Sequence, residues 1–239
     1  RLALRVFFVN NPTQIFLKDG RRFIWASERN GWQNFYLYDL SGTLINPITR
    51  YDKFEASNIV KIDEDAKVIF LRARDGDNHL KLQLHRVSLD GKTDVRLTDP
   101  AFSHSTGNCM AGGRGGGPPA GAQGAQAATC GISPDNKYIV DVYQTHNTPP
   151  ATRLVDATAG KVVAELAKSD LTKFDQLGLK KAEMFTYLAA DGKTMLRGTI
   201  SFTPNFDPAR RYRAIASLYG CTASAATSEN FAQANPTAE

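Results

Sequence analysis

Short apolar runs broken by turn residues set the pattern of this chain. "LKLQLHRV" (80–87) alternates strictly, leucines on one face and polar residues on the other, the period of a half-buried strand. That pattern places His85 on the polar face and so at the surface. "RFIWAS" (22–27), "NFYLYD" (34–39), "KVIFLRAR" (67–74), "KYIVDVYQ" (137–144) and "TRLVDA" (152–157) are equally short and rich in β-branched and aromatic residues. Turn signals separate them: "KDG" at 18–20, "RNG" at 29–31, "LSG" at 40–42, "LDG" at 89–91 and "SPDN" at 133–136. One short helix is predicted over 169–176, with Ser169 as its cap. Beyond it the pattern gives strands at 183–189 and 194–203 around an "ADG" turn, a "PNFDP" loop, and an apolar strand at 214–219.

The runs repeat. "NFYLYDLSGTLINPIT", "LKLQLHRVSLDGKTDVRLT" and "TRLVDATAGKVVAEL" each place a strand, a glycine turn and a second strand in that order. The turn glycines Gly42 and Gly91 lie about 49 residues apart. Gly91 and Gly160 lie about 69 apart, but a low-complexity stretch of about 20 residues falls between them. Without it the period is again near that of a propeller blade. A mainly β fold built from about three blades is expected, with a β-sandwich as the structural alternative. Three blades cannot close a ring, and the chain begins on Arg1; both predict a piece of a longer protein. An open array exposes unpaired strand edges, so the isolated piece is expected to aggregate or to need a partner.

Composition adjusts this picture little. The 239 residues are 42% hydrophobic and carry a net charge of +5, without a run of five or more Lys/Arg or a basic helix, so no nucleic-acid partner is expected. No apolar stretch is long enough to span a membrane as a helix.

Candidate chemistry is sparse. The segment 110–129 is almost wholly Gly, Ala, Gln and Pro, with nothing large to bury, and is expected to be a flexible surface loop. Cys109 and Cys130 flank it, where a disulfide would pin its roots and suit an oxidising compartment; two unrelated thiols are the alternative. Cys221 is left over. With no CxxC and no histidine at ligand spacing, neither a metal site nor a cofactor is expected. His79, His85, His104 and His146 show no Ser or Cys partner in sequence. No GxSxG is present, so these residues encode no nucleophile elbow.

The last sixty residues carry a more specific set. Glu183, Phe185, Thr186, Asp191-Gly192, Leu196, Gly198, the stretch from Pro204 to Pro208, Arg210-Arg211-Tyr212, Tyr219-Gly220 and Ser224 follow one another in order. This resembles the junction between propeller and hydrolase domain in the dipeptidyl peptidase IV and prolyl oligopeptidase class of serine peptidases. "FIWASERNGWQNFYLYD" (23–39) and "SPDNKYIVDVYQTHNTPPATRLVD" (133–156) resemble blades of the same family, so the likeness extends over nearly the whole chain outside the insert.

The resemblance implies that 1–176 is the carboxyl-terminal part of a β-propeller and 177–239 the start of an α/β-hydrolase domain. In this family an eight-bladed propeller caps a hydrolase whose Ser-Asp-His triad cleaves peptides, often after proline. The triad would lie downstream of Glu239, so the isolated chain is expected to be inactive. One functional residue of the family maps onto these residues. The motif tyrosine, here Tyr219, is implied to donate its hydroxyl to the oxyanion of the tetrahedral intermediate. The family's Gly and Pro after that tyrosine are here Cys221 and Thr222, and its Pro after the Arg-Arg-Tyr is Arg213. A peptide substrate, a secreted or periplasmic location and a parent that can be a homodimer are further implications. The alternative is a non-catalytic propeller that binds peptides or proteins.

Overall fold

The computed structural model describes residues 14–107, 109–110, 130–203, 206–215 and 229–231. Three four-stranded antiparallel sheets follow one another along the chain. The first contains β1 (Gln14–Phe16), β2 (Arg22–Ser27), β3 (Asn34–Asp39) and β4 (Leu44–Pro47); the second contains β5 (Ala56–Asp63), β6 (Val68–Ala73), β7 (Gln83–Ser88) and β8 (Asp94–Arg96). The third contains β9 (Ser103–Ser105), β10 (Tyr138–Gln144), β11 (Ala151–Asp156) and β12 (Val162–Lys168). Within each sheet the spatial order is the chain order. Each sheet is therefore an up-and-down meander, the plan of a propeller blade.

The sheets stack face to face. Side chains of β6 alternate between two cores, because successive strand residues point to opposite faces. Ile69, Leu71 and Ala73 join Ile24, Phe35 and Leu37 of the first sheet. Val68 and Phe70 join Ile139 and Val155 of the third. The second sheet is thus covered on both faces, whereas Tyr138 and Val140 on the far face of the third remain exposed.

The repeat glycines sit at equivalent places. Gly42, Gly91 and Gly160 each turn the chain between the last two strands of a sheet, all at positive φ (85°, 67° and 73°). Two of them also touch the preceding sheet. A Cβ on Gly160 would lie 2.6 Å from the Leu97 carbonyl oxygen, and one on Gly91 would collide with the Pro47 carbonyl oxygen. A Cβ on Gly42 would meet nothing among the described residues.

Two expectations are corrected. The helix α1 (Thr172–Gln176) is shorter than predicted and Ser169 does not cap it. The Ser169 hydroxyl donates instead to the Pro150 carbonyl, and Asp170 accepts from the Thr172 amide at 2.9 Å. His85 is not a surface residue but 4% exposed, because the first sheet covers the polar face of β7. Beyond α1, β13 (Glu183–Leu188) and β14 (Met195–Ile200) form a separate antiparallel hairpin. The strand expected at 214–219 is not seen in Ala214 and Ile215, and its other residues lie outside the described ones.

Candidate functional site

Tyr219, Cys221 and Thr222 lie outside the described residues, as does the stretch 111–129. Arg213 is exposed. Cys109 and Cys130 are joined by a disulfide, with Cα atoms 4.3 Å apart. The insert therefore leaves and re-enters between β9 and β10 through one covalent knot. Among the described residues no group of three or more His, Cys, Asp and Glu side chains could hold a metal ion.

Three of the four histidines, His85, His104 and His146, pair with carboxylates that the sequence did not reveal, while His79 lies against the Trp32 ring. His85 donates from Nδ1 to Asp94 at 2.7 Å and from Nε2 to Asp75 at 2.9 Å. Burial alone would lower its pKa, but the two carboxylate partners outweigh it and raise the imidazole to about 9. Tyr51 of the first sheet's outgoing segment donates its hydroxyl to Asp94 at 2.7 Å. Burial, and then the Asp94 charge, hold that phenol far above its ordinary range. Arg96 completes the group from the other side, 3.3 Å from Asp75. Burial would raise the Asp75 carboxyl, but His85 and then Arg96 bring it below the ordinary value. The Tyr51 hydroxyl thus ties the segment leaving the first sheet to an ionic group of the second, beside the apolar packing between them.

A second network closes the third sheet. His104 contacts Asp141 at 2.8 Å through Nδ1 and the Asp99 carbonyl oxygen at 2.8 Å through Nε2. Arg153 donates to the same Asp141 oxygen at 3.0 Å, and its guanidinium lies 4.6 Å from the centre of the Tyr143 ring. Asp141 is 1% exposed, and the Arg153 guanidinium together with the His104 imidazole makes that burial tolerable.

The third group faces a cleft of about 540 Å³ between the His146–Asn147 turn, the stretch 180–184, and Phe202 with Phe206. Behind the cleft wall, His146 Nδ1 meets the Glu229 carboxylate at 2.8 Å. No local pattern announces this pair, because its members are 83 residues apart.

Serial four-stranded meanders packed face to face, each turning on an equivalent glycine, define β-propeller blades. The sequence pattern of the dipeptidyl peptidase IV (DPP IV) N-terminal region matches residues 5–150, and the chain belongs to that family. Solved structures agree on the fold. A protein from Bacteroides ovatus ATCC 8483 assigned as a dipeptidyl aminopeptidase IV superposes with a TM-score of 0.63 at 20% identity, over 91% of this chain and 30% of its own. Porphyromonas gingivalis dipeptidyl peptidase 4 superposes with a TM-score of 0.57 at 17% identity, over 83% of this chain and 24% of its own. The chain therefore spans less than a third of either protein.

Proposed function

We propose that the chain is part of a serine-type exopeptidase of the dipeptidyl peptidase kind, which hydrolyses peptides by acyl transfer with an Xaa-Pro-like preference. The observation that carries this reading is family membership over residues 5–150. On this reading 1–176 is the carboxyl-terminal part of the propeller and 177–239 opens the α/β-hydrolase domain. The β13–β14 hairpin then belongs to the hydrolase side, and its exposed Phe185, Leu188 and Met195 await strands beyond this chain. A secreted or periplasmic setting is supported by the Cys109–Cys130 disulfide, since such bonds persist in oxidising compartments.

In the parent, the propeller admits short peptides and Tyr219 donates its hydroxyl to the developing oxyanion. A donor placed in advance in a dry site stabilises charge that appears only in the transition state. In a protein extended past Glu239 to include the nucleophile, Tyr219→Phe is expected to lower kcat by roughly 10²–10³-fold. An unchanged kcat on a chromogenic Xaa-Pro substrate would return Tyr219 to a packing role. The 239-residue chain alone should show no turnover. If the extended protein is also inert, the non-catalytic propeller becomes the better reading.

A further inference from the structure

Glu229 is 2% exposed although it lies far along the chain from every strand that surrounds it. A carboxylate buried that deeply is strongly unfavourable unless its oxygens are met by donors. Here they are. Oε1 accepts from His146 Nδ1 and Oε2 accepts from Asn78 Nδ2, each at 2.8 Å, and Lys81 Nζ lies 3.7 Å from Oε2. The donors are themselves fixed. The Asn78 side-chain oxygen accepts from the Leu80 amide at 2.9 Å, which aims its NH₂ group at Glu229. Lys81 is held by Asp77 and by the Ala101 carbonyl oxygen, the latter at 2.7 Å.

The backbone around Glu229 is also engaged. Its amide donates to the Leu80 carbonyl at 3.0 Å, and the Phe231 amide donates to the Gln144 side-chain oxygen at 3.0 Å. The Phe231 ring packs on Phe174 of α1, with centroids 5.7 Å apart. Three residues thus contact the β6–β7 connection of the second sheet, the end of β10 in the third, and α1.

We propose that Asn78, Lys81, Gln144, His146 and Phe174 form a receptor rim for an acidic-x-aromatic segment, and that Glu229-Asn230-Phe231 is its resident ligand. The resulting clamp stitches the second sheet to the third and holds Glu229 to Phe231 against both. Its selectivity follows from donor count. Two hydrogen-bond donors and the Lys81 ammonium face the two oxygens, and a carboxylate, charged and without hydrogens, answers all three. This holds whether or not the parent is a peptidase.

The test is amide hydrogen exchange on the whole 239-residue chain. It compares the amides of Glu229 and Phe231 with the β2–β3 ladder of the first sheet as an internal control. Glu229→Gln sets an amide NH₂ against the donors and should speed exchange at both clamp amides by about 10–100-fold, leaving β2–β3 unchanged. Asn78→Asp, which sets two carboxylates against each other, should do the same. Combining the two substitutions restores one donor facing one acceptor and keeps a carboxylate beside Lys81. Exchange should then return to within about threefold of the wild type. Unchanged exchange in Glu229→Gln, an equal rise in β2–β3, or a combined variant no slower than either single one would each overturn the clamp.

Discussion

The second sheet and the β13–β14 hairpin use the same kind of strand in opposite circumstances. β6 is "VIFLRA" and β13 is "EMFTYL", with five and four apolar residues of six. Yet Phe70 is fully buried between two neighbouring sheets, while Phe185 is 46% exposed. On the hairpin the Phe185 ring lies over Gly198 of the opposite strand and stacks on Tyr187 at 5.8 Å. A glycine opposite an aromatic ring lets the ring fold down on the backbone, which is local shelter only. A two-stranded hairpin is marginal by itself, whereas a blade draws its stability from the blades on either side. Apolar strand composition therefore does not say where stability lies; the number of covered faces does.

That contrast can be broken most directly at its centre. Phe70→Ala should destabilise the chain by about 3–5 kcal/mol in urea unfolding, since it empties a site that no neighbour can fill. The next effect is electrostatic and belongs to the junction of the first and second sheets. His85 stays protonated up to about 9 in the folded chain, against about 6.5 for a free imidazole. Its contribution is complete below about pH 6.5 and is lost as pH rises through about 9, on the order of 3 kcal/mol. Asp75 runs the other way; its lowered carboxyl contributes above the ordinary carboxylate range and stops contributing as pH falls through its depressed value. The thermal midpoint should therefore decline on the alkaline side, and His85→Asn should flatten that decline.

A smaller difference separates two glycines of identical role. Gly42→Ala should cost about 1 kcal/mol from the positive φ alone. Gly91→Ala adds a collision with the first sheet and should cost about 1–3 kcal/mol more. Equal losses would mean that the sheets do not meet at that turn. The smallest effect is expected on the hairpin. Phe185→Ala should change stability by less than about 1 kcal/mol, and a loss comparable to that of Phe70→Ala would show that the hairpin has cover on the present chain.

The strands and their turns were legible because alternation and left-handed glycines are local signals. β2, β3 and β11 fall within a residue of their expected bounds, and the three repeat glycines all occupy the turn assigned to them. His85 was misplaced for a physical reason. Alternation shows that a strand has a polar face, but not that a neighbouring sheet will cover it. In a stack of blades that face is covered too, and its polarity is satisfied by Asp75, Asp94 and Tyr51 instead of water. Glu229 was illegible altogether, since its partner Asn78 is 151 residues away and neither belongs to a periodic run. Ser169 failed as a cap because Pro150, from the turn before β11, offered its hydroxyl a carbonyl first.

The disulfide between Cys109 and Cys130 has a consequence for engineering. Its half-cystines bring the two ends of the insert within 4.3 Å of each other, between strands that are already paired in one sheet. Loop-closure entropy grows only with the logarithm of length, and here the closure is covalent. A change in the number of residues between the two half-cystines therefore adds little to the entropy of closing that loop. A graft of an epitope, a fluorophore tag or a whole domain with adjacent termini should therefore enter after Met110, which packs on the core shared by the first two sheets, and before Cys130.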